Sequence, residues 1–283
     1  MEVGQLNNVT VGFIIQARMK STRLPGKILL PLPISSNVSI LDRIIENIKA
    51  TKYNNKIIIA TSINSENDTI ENKYKNDIVE VYRGDENDVL SRFIGICKKH
   101  QFDVVVRLTA DNPFIDIKLL DKLIKKHITE KNSYTSSKNL PLGMNFEVVD
   151  PEKIIEIENK KLSTEDKEHV TLYIKKNYQI SVQEYNTNIS TKNARLTIDY
   201  PSDYALASII YELLNNSKIN TTSSLLEKIE ELFEKYDWLK EINNSNFQKK
   251  QFNNESEEIE EAKNLLESLE YFNASKKLKH ESL

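Results

Sequence analysis

The sequence predicts an α/β protein whose central sheet is mostly parallel. Short runs of β-branched residues alternate with stretches of helical period from Val11 to about Leu214, as expected for strand–helix–strand units. The strand-like runs at 11–15, 57–60 and 104–106 are continuously apolar, which is typical of strands buried on both faces. A chain of 283 residues with 39% hydrophobic residues is long enough to bury a full core and to carry an appendage.

The first half of the chain gives the clearest pattern of elements. Four strands are predicted, at residues 11–15, 56–61, 78–82 and 104–108. Apolar residues at helical spacing lie between them and predict helices at 41–48, 88–100 and 116–130. Asp88 is the first residue of the helix predicted at 88–100 and is a favourable N-cap residue.

The second half predicts a mixed or antiparallel addition to the sheet. Its strand-like runs are residues 146–149, 179–185 and 195–198. Helices are predicted at 152–159 and 165–177, and Pro201 opens a further helix.

The chain is expected to divide into a main domain, residues 1–214, and a helical C-terminal extension, residues 215–283. A polar linker at about 240–256 leads to a helical stretch at 257–272. The apolar stripe of that stretch consists of Ile259, Ala262, Leu265, Leu266, Leu269 and Phe272. A helix of this length is unstable alone, so we expect it to dock on the main domain, on a second copy of the chain or on another protein.

Charge and composition exclude several classes of protein. Lys and Arg total 39 against 42 Asp and Glu, a net charge of −3, so the field does not favour nucleic acid as a partner. The chain has no apolar run of about eighteen residues and no signal-like start, so neither a membrane nor export is expected and the predicted location is the cytoplasm. Cys97 is the only cysteine, which excludes an intrachain disulfide.

The most informative stretch follows the first strand and reads QARMKSTRLPGK, residues 16–27. Ligands of open parallel sheets bind beyond the carboxyl ends of the strands. A loop at this edge that carries Arg18, Arg23 and Lys27 therefore points cations toward a bound ligand, and their charges suit a triphosphate. The alternative is a solvated basic loop.

This loop resembles the opening motif of the SpsF-like proteins, the spore-coat polysaccharide branch of the cytidylyltransferase family. The resemblance runs to about Leu206 and includes five further blocks in order. They are RGDENDVL at 83–90, RLTADNP at 107–113, GMNFE at 143–147, EHV at 168–170 and RLTIDYPSD at 195–203. The resemblance implies a GT-A, Rossmann-like nucleotidyltransferase fold, binding of CTP or another nucleoside triphosphate, and a homodimer, as in many relatives.

The resemblance also implies a metal site. Asp111 follows a predicted central strand and matches the first metal ligand of the family, and Asp199 matches the second. Two carboxylates, phosphate oxygens and water suit Mg²⁺, with Mn²⁺ as the alternative. Arg18 and Lys27 are the candidates for stabilising the transition state, or else they bind the β and γ phosphates in the ground state. Asp111 and Asp199 could instead be helix caps.

Further residues are assigned to the two substrates. The predicted nucleotide-binding residues are Gln16, Ala17, Arg18, Arg23, Lys27, Thr61, Arg83 and Asp88. The predicted acceptor-binding residues, which lie in motif blocks outside the nucleotide half, are Glu147, Glu168, His169 and Arg195. Asp88 could simply cap its helix, and the acceptor-side residues could have structural roles.

The sequence therefore predicts a nucleotidyltransferase that joins a nucleoside monophosphate, from CTP, to a sugar acid, a sugar phosphate or a similar small acceptor, with release of pyrophosphate. Surface glycan biosynthesis is the process that the resemblance implies. Two other functions stay open at this point. One is a glycosyltransferase that uses a nucleotide sugar, although the chain lacks the Asp-x-Asp triplet expected of it. The other is a catalytically silent nucleotide-binding scaffold.

Overall fold

The architecture comes from a computed structural model that describes residues 9–75, 78–216, 223–246 and 254–278. The chain divides into two compact units, Met1–Ser245 and Asn246–Leu283. Across the described ranges, no helix has the length and apolar character needed to span a bilayer.

In the described part of the chain, the first unit contains a seven-stranded sheet in the order β3-β2-β1-β4-β6-β5-β7. The strands are β1 Thr10–Gln16, β2 Asn54–Ser62, β3 Val79–Gly84, β4 Val104–Thr109, β5 Tyr134–Lys138, β6 Glu147–Val149 and β7 Ile180–Glu184. The first four strands are parallel in their pairings, β6 is antiparallel to β4 and β5, and β7 is parallel to β5. This confirms the mostly parallel sheet and its mixed second half.

Helices cover both faces of the sheet. Those of the first unit are α1 Ile40–Lys49, α2 Asp68–Tyr74, α3 Val89–Lys99, α4 Ile117–Glu130, α5 Pro151–Glu156, α6 Thr164–Glu168, α7 Leu172–Asn177, α8 Ile189–Lys192, α9 Pro201–Asn216 and α10 Leu225–Lys235. The helices α3 and α4 begin at the side-chain caps Asp88 and Asp116, so the predicted start of each is confirmed.

The strand β1 shows why the central strands of the sheet are largely apolar. Phe13 and Ile15 pack on one face of the sheet with α1, α4 and α9, while Ile14 packs on the other face with α3, α5 and α7. All three side chains are fully buried. Because both faces are covered, the chain is free to place polar ligand-binding groups only where the strands end.

The predicted strand at 195–198 is wrong. Its first residue makes one isolated parallel bridge to Leu142, and the backbone then hydrogen-bonds to loops, with the amide of Leu196 donating to the carbonyl of Leu142 at 2.7 Å and that of Ile198 to the carbonyl of Asp111 at 2.9 Å. The side chains of Leu196 and Ile198 are buried in the core. The apolar pattern here reflects a buried connecting segment, which needs the same residues as a strand.

Two other elements differ from the prediction. The helix predicted at 165–177 is two short helices, α6 and α7, with a break between them. The strand β5 was not predicted, because its sequence, Tyr-Thr-Ser-Ser-Lys, is polar. It pairs with strands on both sides, so tertiary pairing rather than local pattern determines it.

The first unit extends beyond the expected boundary at residue 214. Leu226, Ile229 and Phe233 of α10 are buried in the same core as β1, and a 3₁₀ helix, Asp237–Asn243, follows. Part of the predicted linker, residues 247–253, lies outside the described residues.

The second unit contains α11 Glu255–Ser268 and α12 Phe272–Leu278. Ser275 Oγ donates to Glu267 Oε1 at 2.7 Å and ties one helix to the other. The side chains of Leu269 and Phe272 are 51% and 55% exposed. What covers the apolar stripe stays a prediction.

Gly143 gives a direct test of the packing around the segment that carries Asp199. Its φ is +100°, and a Cβ would lie 2.5 Å from the amide nitrogen of Thr197. We expect Gly143→Ala to lower the free energy of unfolding by about 2 kcal/mol or more, since strain and overlap add. Gly26→Ala is the control, because Gly26 also has positive φ but a Cβ there would meet only Met19 Cε, at an ordinary contact distance of 3.7 Å. Equal losses in urea unfolding would contradict the overlap.

Candidate active site

The loop after β1 folds back so that Lys27 points inward. The amide of Met19 donates to Asn67 Oδ1 at 2.8 Å, and the amide of Gly26 donates to the carbonyl of Met19 at 3.1 Å. Gly26 has a φ of 68°, a left-handed angle at which glycine carries no strain. A 3₁₀ turn, Lys27–Leu29, follows directly. The side chain of Lys27 is consequently buried, with 8% of the residue exposed.

Lys27 Nζ lies between the two predicted metal ligands. It is 3.1 Å from Asp111 Oδ2 and 2.9 Å from Asp199 Oδ1, and it donates to the carbonyl of Ile198 at 2.6 Å. All three donor positions of the ammonium thus have acceptors. The loop after β1, the end of β4 and the segment before α9 meet at this single nitrogen.

Asp199 is surrounded by cations. Besides Lys27, Arg23 approaches Oδ1 at 3.1 Å and Arg195 approaches Oδ2 at 2.8 Å. Burial acts to raise the pKa of the Asp199 carboxyl, but the charges of Lys27, Arg23 and Arg195 outweigh it, so the pKa lies below its ordinary value. Asp199 is therefore held as a carboxylate.

Asp111 is fixed by the end of the strand that precedes it. Thr109 Oγ1, in the last residue of β4, lies 2.6 Å from Asp111 Oδ1. The amide of Ala110 donates to the carbonyl of Gln16 at 3.0 Å, which joins the ends of β4 and β1. The N-cap of the following helix is Asp116, so the capping alternative does not describe Asp111.

Arg195 contacts the carboxylates of both Asp199 and Asp203. Its Nε lies 3.0 and 3.2 Å from the two oxygens of Asp203, which is 2% exposed. Asp203 Oδ2 in turn accepts from the amides of Asp199 and Tyr200, at 2.9 and 3.0 Å. Asp203 lies in the first turn of α9. The structure therefore places Arg195, which the sequence assigned to the acceptor, against the carboxylate of Asp199.

The residues present fit a divalent cation. Oxygens of Asp111 and Asp199 already converge on one cationic nitrogen, and carboxylate oxygens are the ligands that Mg²⁺ prefers. Over the ranges that the structure describes, no cluster of three or more His, Cys, Asp or Glu residues could hold a metal. A site with two protein carboxylates leaves coordination positions for phosphate and water, as Mg²⁺ sites at nucleotides do.

The other predicted nucleotide-binding residues of this loop and of β2 make few hydrogen bonds. Arg18 is exposed and makes no hydrogen bond or ion pair with any residue placed by the structure. Gln16 Oε1 accepts from Arg107 at 3.3 Å. Ala17 is buried, and Thr61 is fully buried with a hydroxyl that lacks a partner among the described residues.

Arg83 and Asp88 have structural partners. Arg83 NH1 lies 2.7 Å from Asp68 and 2.9 Å from Glu71, so its charge is compensated at the edge of the sheet. Asp88 Oδ1 accepts from the amide of Ser91 at 2.8 Å. The capping role that the sequence left open for Asp88 is the one seen here.

Glu147 lies in a separate network. Its carboxylate accepts hydrogen bonds from Arg107 at 2.9 Å, Tyr134 at 2.8 Å and Thr171 at 3.1 Å, and also from Lys175. Burial acts to raise the pKa of Glu147, but Arg107 and Lys175 lower it to about 2. Glu147 thus joins β4, β5, β6 and α7.

The other two predicted acceptor residues, Glu168 and His169, are exposed at the end of α6. The structure therefore brings Lys27, Arg23 and Arg195 together with both predicted metal ligands, and it places Glu147 in a different cluster.

Sequence reasoning missed several residues that support the site. Thr109 and Arg107 lie inside the block at 107–113, and Asp203 inside the block at 195–203, so the motifs contained a signal for all three. Lys175 has no such signal, because only the folded position of α7 brings it to Glu147.

The low pKa of Glu147 predicts a pH-dependent stability. Its pKa is lowered from 4.5 to about 2 in the folded state, so its contribution is fully present above about pH 4.5 and is lost as the pH falls toward 2. We expect Glu147→Gln to lower the urea midpoint at pH 7 and to flatten its decline between pH 4.5 and 2. Glu158→Gln, at an exposed ion pair with Lys98, is the control. An unaltered slope for Glu147→Gln would contradict the assignment.

Comparisons with known proteins agree with this geometry. The cytidylyltransferase family model matches residues 12–272. The chain is 38% identical over 208 residues to the spore coat polysaccharide biosynthesis protein SpsF of Bacillus subtilis, covering 71% of this chain and 85% of that protein. It is 25% identical over 227 residues to the 3-deoxy-manno-octulosonate cytidylyltransferase of Francisella philomiragia, covering 75% and 86%.

The fold is also similar to that of a solved protein. A cytidylyltransferase from Leptospira borgpetersenii superposes with a TM-score of 0.72 at 26% identity, covering 86% of this chain and all of that one. The chain therefore belongs to the cytidylyltransferase family, and it is a nucleotidyltransferase with a Rossmann-like fold.

Proposed function

We propose that this enzyme transfers CMP from CTP to a sugar acid or a related small acceptor, with release of pyrophosphate. The observation that carries the proposal is the convergence of Asp111 and Asp199 on Lys27 at the carboxyl edge of a parallel sheet, in a chain of the cytidylyltransferase family. Relatives named for 3-deoxy-manno-octulosonate and for spore coat polysaccharide support a sugar acid acceptor and a role in surface glycan biosynthesis.

Asp111 and Asp199 would hold Mg²⁺, with Mn²⁺ as the alternative. When bound, the metal would neutralise phosphate charge and polarise the α-phosphate. Lys27, released from the carboxylates, would offer its ammonium to the phosphates. Arg195 and Asp203 would keep the Asp199 carboxylate in place throughout, which makes them positioning residues.

The reaction is an attack of an acceptor oxygen on the α-phosphorus: the new O–P bond forms as the bond to the pyrophosphate oxygen breaks. Pyrophosphate carries away the negative charge, and an acceptor hydroxyl gives up its proton to water. Arg18 is exposed on the loop after β1 and makes no ion pair with the described residues, so its guanidinium is available to bind that leaving group. Arg23 is exposed on the same loop and pairs with Asp199, and it would turn from that carboxylate to the leaving group. Gln16, Ala17 and Thr61, with Arg83 and Asp88 at the sheet edge, form the proposed nucleotide side. The acceptor side is proposed to include Glu168 and His169, with Glu147 shaping it.

The first prediction from this proposal concerns the two carboxylates. Asp111→Asn and Asp199→Asn should each reduce pyrophosphate release from CTP, tested against a panel of sugar acids and sugar phosphates, by at least about a hundredfold, because each loses a charged metal ligand. Asp103→Asn is the matched control, since Asp103 immediately precedes the other end of β4. Near-full turnover in either of the first two variants would contradict the metal assignment.

The second prediction concerns Lys27, whose ammonium competes with a metal for the same oxygens. In the absence of nucleotide, Lys27→Met should bind Mn²⁺ at least about tenfold more tightly than the wild type, since an opposing charge is removed from the site. Turnover should nevertheless fall, because the phosphates lose a cation. Lys99→Met, an exposed lysine of α3, is the control. Weaker or unchanged Mn²⁺ binding, measured by electron paramagnetic resonance, would contradict the competition.

A further inference from the structure

Arg92 is a buried arginine close to the edge of the sheet where the candidate site lies. It belongs to α3 and is 4% exposed. Its NH1 donates to the carbonyl of Ala60 at 3.3 Å, and the same carbonyl accepts the amide of Ala17 at 3.1 Å. The guanidinium therefore reaches the ends of β1 and β2, one residue before Arg18.

The guanidinium of Arg92 is poorly satisfied. An arginine has five N–H donors, yet the bond to Ala60 is the one hydrogen bond that Arg92 makes to the described part of the chain, and its buried Nε lacks a partner there. No carboxylate of that part lies within ion-pair distance of it. Buried arginines are ordinarily paired with carboxylates or fully hydrogen-bonded, so this one has donors available for a ligand.

The surrounding charges do not compensate for this burial. Burial lowers the pKa of Arg92, and the charge of Arg18 lowers it further, whereas the charges of Glu86, Asp85 and Asp88 raise it but do not outweigh the burial. A second cation beside an unpaired buried cation destabilises the free protein, and an electron-rich ligand group would relieve it.

Gly84, the last residue of β3, clears the route of the Arg92 side chain. A Cβ at Gly84 would lie 2.7 Å from Arg92 Cγ, which is closer than real Cβ contacts. The glycine therefore lets the stem of Arg92 pass over the end of β3 toward β2. This gives the glycine of the block at 83–90 a physical role that the sequence did not show.

Resting on the proposed function, we infer that Arg92 recognises the pyrimidine base of the nucleotide. Lys27, Asp111 and Asp199 fix the phosphates on the β4 side of β1, whereas Arg92 reaches β2. Two strand spacings separate β4 from β2, about 10 Å, so a nucleotide lying across the end of β1 places its base at Arg92.

The donor pattern of Arg92 selects cytosine over uracil. Cytosine presents two adjacent acceptors, O2 and the unprotonated N3, to the planar fork of a guanidinium. Uracil presents O2 beside an N3–H donor, which would face another donor. A site built to make a particular hydrogen bond rejects an analogue that cannot make it.

The test measures binding of CTP, UTP and tripolyphosphate, with Mg²⁺, to the wild type and to Arg92→Met, Arg92→Lys and Gly84→Ala. The wild type should prefer CTP. Arg92→Met should reduce the ratio of CTP to UTP affinity by at least about tenfold, the scale of one hydrogen bond to a charged group, and leave tripolyphosphate binding unchanged. Arg92→Lys keeps the positive charge but lacks the planar guanidinium, and Gly84→Ala displaces that guanidinium. Both variants should also reduce the ratio of CTP to UTP affinity. Lys99→Met, on the same helix, is the control.

The melting temperature without ligand separates this role from a structural one. Removing an unpaired buried charge should leave the Arg92→Met protein as stable as the wild type or more stable. An unchanged CTP to UTP ratio in the variants that fold overturns the inference, and so does an equal loss for tripolyphosphate, which would assign Arg92 to the phosphates. A wild type that selects CTP through Arg92 but releases no pyrophosphate with any acceptor would contradict the proposed function alone.

Discussion

The ammonium of Lys27 holds together segments that are far apart in the chain. It bridges Asp111 and Asp199 at 3.1 and 2.9 Å, and these residues are 84 and 172 positions away from it. Burying an ammonium costs several kcal/mol unless carboxylates compensate for it. Lys27 therefore requires three segments to be in place together: the closed loop after β1, the end of β4 and the segment before α9. The rest of the site depends on that arrangement.

In the proposed function, the same interaction would let one site serve two states. Lys27, Arg23 and Arg195 face Asp111, Asp199 and Asp203, so three cations balance three carboxylates. A metal and a polyphosphate bring their own opposite charges, so the cations can turn to the phosphates while the carboxylates turn to the metal. Arg195 differs from the others, because its bonds to buried Asp203 hold it in place and keep Asp199 aimed at the site.

The sequence predicted what local pattern and motif determine. Apolar runs and capping chemistry predicted the largely buried strands β1, β2 and β4, the cap at Asp88 and the helix start near Asp116, and the structure has all of them. The segment at 195–198 was predicted as a strand because a buried connection carries the same apolar residues. The strand β5 is polar and forms only through its neighbours. The partners of Arg195, Asp199 and Asp203, lie in the same motif block, but the motif does not show that all three side chains meet. Arg92 was missed because a helix that packs on a sheet gives no signal that one of its arginines is unpaired.

The most direct test of the account is a crystal structure of the wild type with Mn²⁺ and a CTP analogue that resists transfer, using the anomalous signal of the metal. We expect an anomalous peak coordinated by Asp111 and Asp199, with Lys27 Nζ moved from the carboxylates to a phosphate oxygen. A metal bound elsewhere, or a Lys27 that still bridges the two carboxylates with the nucleotide in place, would contradict it.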